Sequence, residues 1–181
     1  MKGIYVQRAA EFDPKTGILS SQNANYFKNK APQVRNATDA EAAEIALIRD
    51  KHNISKKKNV AYAEGKLAGK PYRNEAHSGT NSKPGIAKAK PFESQLIKTY
   101  PTAADIERGV NNSDVRANDS EVKILEELLE ETAGNPNVSG NIKLVSERPI
   151  CESCWDGISQ TEKARPNLKI ERVQLPKKSN P

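Results

Sequence analysis

Apolar positions in this chain gather into short runs separated by long polar stretches, and the clearest runs lie in the last third. After Asp119-Ser120-Glu121, the residues Val122, Ile124, Leu125, Leu128 and Leu129 recur at the spacing of one helical face, until Gly134-Asn135-Pro136 stops the pattern. Ile142 to Ser146 then reads as a strand and Pro149 to Cys154 as a turn. Cys154 to Ala164 reads as a second helix, and Leu168 to Val173 alternates like a half-exposed strand. Helix, strand, helix, strand in that order implies a parallel strand pair joined by a right-handed crossover.

Earlier in the chain, Thr38-Asp39-Ala40-Glu41 has the form of a capping box ahead of an alanine-rich run with Ile45, Leu47 and Ile48, which predicts a helix from residue 39 to about 52. Asn59 to Leu67 reads as a strand, Gly69-Lys70-Pro71 as a turn, and Tyr72 to Ser78 as the returning strand of a hairpin. Residues 79–118 are rich in Gly, Ser, Asn, Lys and Pro, and only Phe92 to Tyr100 is patterned like an ordered piece. A connection of that length is functional or disordered. The division expected is a small hairpin and loosely ordered lead-in over residues 1–36, a folded domain over 37–175 and a disordered tail over 176–181.

Composition narrows this picture. With 35% apolar residues and a mean hydropathy of -0.78 over 181 residues, a large all-apolar core is excluded and part of the chain is solvated. No window approaches 18 consecutive apolar residues, and the N-terminus lacks the pattern of a secretory signal, so neither a membrane span nor an export signal is expected in this chain. The net charge of +6 is uneven: residues 1–118 carry a surplus of eight positive charges and residues 119–181 a surplus of two negative ones. A basic region beside a mildly acidic one suits a protein that attracts a polyanion, and it equally suits a solvated lysine-rich surface. The runs Lys56-Lys57-Lys58 and Lys83, Lys88, Lys90 share that ambiguity.

Two cysteines cannot make a disulfide framework, and the spacing Cys151-Glu152-Ser153-Cys154 is shared by redox, structural-metal and catalytic-metal sites. Their place at a helix start favours the thiolate, the form that binds metal or attacks disulfides. Asp119 and Glu121 stand two apart. On a regular helix such residues point about 200° from each other, so both reach one pocket only if Asp119 is not yet helical. Glu121 shares its helix side with Ile124, Leu125 and Leu128, and a carboxylate on a buried side needs a charge, a hydrogen bond or a metal-bound water. Taken alone, an acid in a first helical turn is most often a dipole-compatible cap.

The order of acidic residue or His, any residue, Glu on a helix, then a strand, then Cys-x-x-Cys opening the next helix, resembles the zinc-dependent nucleobase deaminases. More narrowly, Asp119 to Glu127, Ser146 to Cys154 and Ala76-His77-Ser78 resemble the C-terminal deaminase domains of bacterial polymorphic toxins, in the branch with Asp in place of the ligand His. The resemblance covers roughly residues 58–175, with Ile150 interrupting the usual Pro-Cys pair. It implies an α/β fold of three layers, a mixed sheet of four to five strands with helices on both faces. It further implies Zn²⁺ held by Asp119, Cys151 and Cys154, with Glu121 as the catalytic proton carrier. His77, Ser78 and Trp155 are candidates for lining the base pocket, although His77 also reads as a surface residue and Trp155 as a packing residue.

The expected reaction is conversion of cytosine to uracil in nucleic acid, with single-stranded or duplex DNA ahead of RNA. The resemblance adds a toxin secreted as part of a larger protein, active in the target-cell cytoplasm and neutralised by a cognate immunity protein. The rivals are an adenine, RNA or nucleoside deaminase, a non-enzymatic zinc-binding nucleic-acid module, and a thiol oxidoreductase with a reversible Cys151-Cys154 disulfide.

Overall fold

The computed structural model describes residues 34–80, 83–90, 95–96 and 117–176. Residues 1–33 of the hairpin and lead-in expected over 1–36, most of the Phe92 to Tyr100 piece and the tail beyond Pro176 lie outside the described residues, while Arg35–Asn36 of that lead-in form a strand. Within them the order is β1 (Arg35–Asn36), α1 (Asp39–Lys51), β2 (Val60–Leu67), β3 (Lys70–His77), α2 (Ser120–Glu131), β4 (Gly140–Ser146), α3 (Glu152–Ala164) and β5 (Leu168–Gln174).

The five strands form one mixed sheet in the order β1-β5-β4-β2-β3. β2 is antiparallel to both β3 and β4, whereas β5 runs parallel to both β4 and β1. The parallel pair and its α3 crossover are those the alternation of patterns predicts. Register puts Glu64 opposite Arg73 and Lys143 on one face, and there Lys143 reaches Glu41 of α1 at 3.0 Å. On the other face Ala61, Ala63 and Leu144 lie under α2, which packs against α3. Helices therefore cover both sides, and the core sits in two layers about one sheet.

The hairpin is tighter than its sequence suggests. Leu67 pairs directly with Lys70 around Ala68 and Gly69, which have φ of 50° and 75°. Two positive-φ residues make the loop whose twist matches the flanking strands, and glycine takes the second position without steric cost. Pro71, read as part of the turn, belongs to the strand because β3 is a sheet edge, where a missing N–H breaks no ladder.

α1 starts with the capping box its sequence predicts: the Thr38 hydroxyl accepts from Glu41 N–H, and Glu41 Oε2 accepts from Thr38 N–H at 2.9 Å. The same buried carboxylate accepts two bonds of 2.8 Å from Arg35 and one of 3.0 Å from Lys143. The Arg35 guanidinium, before the other contacts, holds Glu41 well below the usual carboxylate range. A carboxyl that binds its proton more weakly folded than unfolded stabilises the fold above about pH 4.3, and that contribution disappears as pH falls through the folded value. We expect Glu41→Gln to lower the urea midpoint at pH 7 and to flatten its fall between pH 4 and pH 2. An equally steep acid limb in both proteins would contradict this assignment.

α2 is buried almost all round, and two of its charged residues tie it to neighbouring segments. The Lys123 ammonium donates to the carbonyls of His77 and Gly79 at 2.7 and 2.6 Å, while Glu126 accepts from the N–H groups of Gln95 and Leu96 at 2.8 and 3.1 Å. These bonds tie the end of β3 and a piece of the long connection to the helix that carries Glu121.

Candidate functional site

Asp119 is the N-cap of α2, with φ -68° and ψ 139°, so it is extended as the two-residue spacing to Glu121 requires. Its carboxylate makes no capping bond to its own helix. Oδ2 lies instead 3.7 Å from the Cys154 sulfur, 4.0 Å from that of Cys151 and 3.4 Å from the Ser153 hydroxyl, which donates to it.

α3 begins at Glu152, two residues before the start read from sequence, which makes Cys151 its N-cap. The turn closes when Trp155 N–H donates to the Cys151 carbonyl at 2.9 Å, and Ile150 N–H is fixed by Gln174 Oε1 at 3.1 Å. Cys154, one turn on, is 1% exposed, and the two sulfurs are 3.2 Å apart as free thiols. Two helix N-termini thus meet here, each placing partial positive charge by the sulfurs and carboxylates.

Ligand atoms of Asp119, Cys151 and Cys154 all lie within 4.8 Å of one another. Tetrahedral zinc, with sulfur at about 2.3 Å and oxygen at about 2.0 to 2.2 Å, needs sulfurs about 3.8 Å apart and sulfur–oxygen separations of about 3.5 Å. The observed 3.2, 3.7 and 4.0 Å differ from these by about 0.6 Å or less, so the residues fit such an ion. Electrostatics point the same way. The Cys154 thiol pulls Cys151 below its ordinary range, whereas its bond to Cys151, then burial and the charges of Glu121 and Asp119, push Cys154 well above. The pair accepts one negative charge readily and resists a second unless a cation joins it.

Glu121, 3% exposed, stands on the first turn of α2. Its Oε2 accepts from the Ser120 hydroxyl at 2.9 Å and its Oε1 from the Asn59 amide at 3.2 Å. The same amide nitrogen lies 2.9 Å from the Ser120 hydroxyl and 3.1 Å from that of Ser146, and Asn59 Oδ1 accepts from Arg148 N–H at 3.0 Å. Asn59 thus clamps the starts of β2 and α2 to the end of β4. Nothing local in the sequence marks it; the only available signal was a polar residue directly before a buried strand.

Of the three residues expected to line the base pocket, Ser78 is tied to this cluster, since its hydroxyl accepts from Asn59 N–H at 2.8 Å. His77 is 1% exposed, bonds through Nδ1 to the Ser78 carbonyl and is kept neutral-leaning by burial. Its register opposite Val60 places it on the α1 face of the sheet, away from the sulfurs. The Trp155 ring stacks on the buried Arg172 guanidinium at 4.8 Å.

Comparison with protein families matches residues 44–175 to Toxin-deaminase, the BURPS668_1122 family of deaminases. The chain belongs to this toxin-deaminase family. The match spans over two thirds of its length and takes in both helix starts that converge on Asp119 and Cys151. Comparison with curated proteins and with solved structures gave no match. Among the described residues no helix is long and apolar enough to cross a membrane.

Membership in a deaminase family gives Asn59 a readout. Asn59→Ala leaves two hydroxyls, a carboxylate oxygen and the Arg148 N–H short of a partner, a loss of about 1 to 3 kcal/mol in unfolding free energy. If Glu121 is the reacting carboxylate, freeing it should also slow ammonia release about tenfold or more, through turnover rather than substrate affinity. Urea unfolding and steady-state kinetics check both, and unchanged turnover would remove Asn59 from the site.

Proposed function

We propose that this deaminase toxin domain converts cytosine to uracil in nucleic acid, with DNA as the favoured polymer and zinc held by Asp119, Cys151 and Cys154. The observation that carries the reading is the buried Glu121 carboxylate beside a carboxylate and two thiols at the meeting of two helix N-termini. When bound, zinc supplies Lewis-acid chemistry and makes water at its open position acidic.

The chain's own residues do the rest. Glu121 accepts a proton from the attacking water and delivers protons to the ring nitrogen and the departing amine, so that one water is consumed and one ammonia leaves. Asn59 and Ser120 hold the two oxygens of Glu121 in fixed directions. Ser153 donates to Asp119 and lies 3.1 Å from the Cys151 sulfur, which orients both donors. His77, on the α1 face, and Trp155, stacked on Arg172, have no part in this scheme. A target base has to be unstacked or single-stranded to enter such a site. The toxin role extends the reading to secretion within a larger protein, action in the cytoplasm of a target cell and a cognate immunity protein.

The test is sequencing of single-stranded DNA, duplex DNA and RNA after incubation with the zinc-loaded chain. Cytosine-to-uracil changes in DNA are expected. Adenine-to-hypoxanthine changes would replace the base assignment, changes confined to RNA would replace the polymer, and no change in any pool would end the nucleic-acid reading.

A further inference from the structure

Seven of the nineteen Lys and Arg side chains among the described residues stand in ion pairs there. Arg35 pairs with Glu41 and Glu171, Arg73 with Glu44, Glu64 and Glu75, and Lys143 with Glu41 and Glu64. Lys83 is tied to the carbonyls of His52 and Asn53, and Lys90 to Glu127 and Glu130. Lys56, Lys57, Lys58 and Arg148 form no ion pair among the described residues, as is true of Lys66, Lys70, Lys88, Lys163 and Lys169, and Lys56, Lys57 and Arg148 are exposed; the first four are set apart by their grouping.

These four are neighbours in space. Arg148 donates through Nη2 to the Lys57 carbonyl at 2.7 Å. Lys56 and Arg148 flank a groove of about 570 Å³ whose apolar lining includes Ile45 and Ala46 of α1, Pro149 and Leu175. The one carboxylate in its lining, Glu147, is occupied by Arg49 and by Val60 N–H at 3.3 Å. The groove is also fixed relative to the reaction site. Arg148 N–H binds Asn59, whose amide binds Glu121, and Pro149 is two residues from Cys151.

We infer that this groove seats the nucleotide next to the target base, with its phosphate between Lys56 and Arg148 and its base on the apolar lining. The inference rests on the reading of the substrate as a polynucleotide. An apolar groove with cations at its rim offers a base apolar contact and its phosphate a counter-charge. A rigid two-bond link to Glu121 makes the groove a reader of sequence context rather than a diffuse charge.

The test uses the Glu121→Gln chain and a fluorescent single-stranded cytosine-containing oligonucleotide across a salt series. Adding Lys56→Gln with Arg148→Gln should weaken binding about tenfold and flatten the logarithmic salt slope by about 0.7, the value for one lost phosphate contact on a single strand. Adding Ala46→Phe instead, which fills the lining and leaves the charges, should weaken binding with the slope unchanged; melting curves show that both variants fold. Binding unaffected by both changes, while the Glu121 chain converts cytosine in the same oligonucleotide, overturns the groove and leaves the reaction standing. Groove-dependent binding with no conversion by the Glu121 chain supports the groove and removes the reaction. Failure of the unaltered groove to bind any oligonucleotide also overturns the inference.

Discussion

Glu121→Gln lowers deamination by about three orders of magnitude and leaves the fold and the metal content as they were. The size follows from the proposed role: positioned proton transfer contributes about 10² to 10⁴ in rate, and in that role one group serves both the attacking water and the leaving amine. The amide keeps an oxygen for the Ser120 hydroxyl or the Asn59 amide, so the cluster of Asn59, Ser120 and Ser146 stays largely satisfied. Rate constants, zinc content and melting temperature of the variant should be measured together. A drop of less than tenfold with normal zinc would show that Glu121 is a structural carboxylate and would favour the non-enzymatic zinc module.

The second large effect belongs to the metal. Stripping zinc, or replacing Cys154 by Ser, should abolish activity and destabilise the chain, because the ion binds the folded arrangement and not its separated pieces. At zinc about a thousandfold above its dissociation constant the linkage is about 4 kcal/mol, or about 10 °C in melting temperature for a chain of this size. Added zinc should restore the unsubstituted protein and not the Cys154→Ser variant. In the chelated protein Cys151 and Cys154, with sulfurs 3.2 Å apart, become open to oxidation. Identical melting with and without chelator, together with a stable Cys151-Cys154 disulfide, would replace the deaminase assignment by thiol–disulfide chemistry.

Much of this arrangement was legible in the residues because its signals are local. The apolar spacing after Asp119 and the capping box at Thr38 each describe one element without reference to another, and both elements are present. Starts and ends were harder. α3 opens at Glu152 because Ile150 is anchored to Gln174 in another strand, and β3 includes Pro71 because it lies at the sheet edge. Neither fact is contained in the neighbouring residues. Asn59 was invisible for the same reason: its partners Ser120, Glu121 and Ser146 come from two other elements and meet only through the pairing of β2 with β4.

The strand order has a consequence for when activity can arise. Among the described residues β5 is the last strand, it lies between β1 and β4, and β1 pairs with no other strand. Gln174, at its end, also fixes the backbone just before Cys151. During synthesis, or after passage through a narrow channel in extended form, the sheet cannot close and the segment bearing the cysteines cannot settle until residue 174 is in place. Removal of a few residues from the end of this strand is therefore expected to loosen both β1 and the backbone ahead of Cys151.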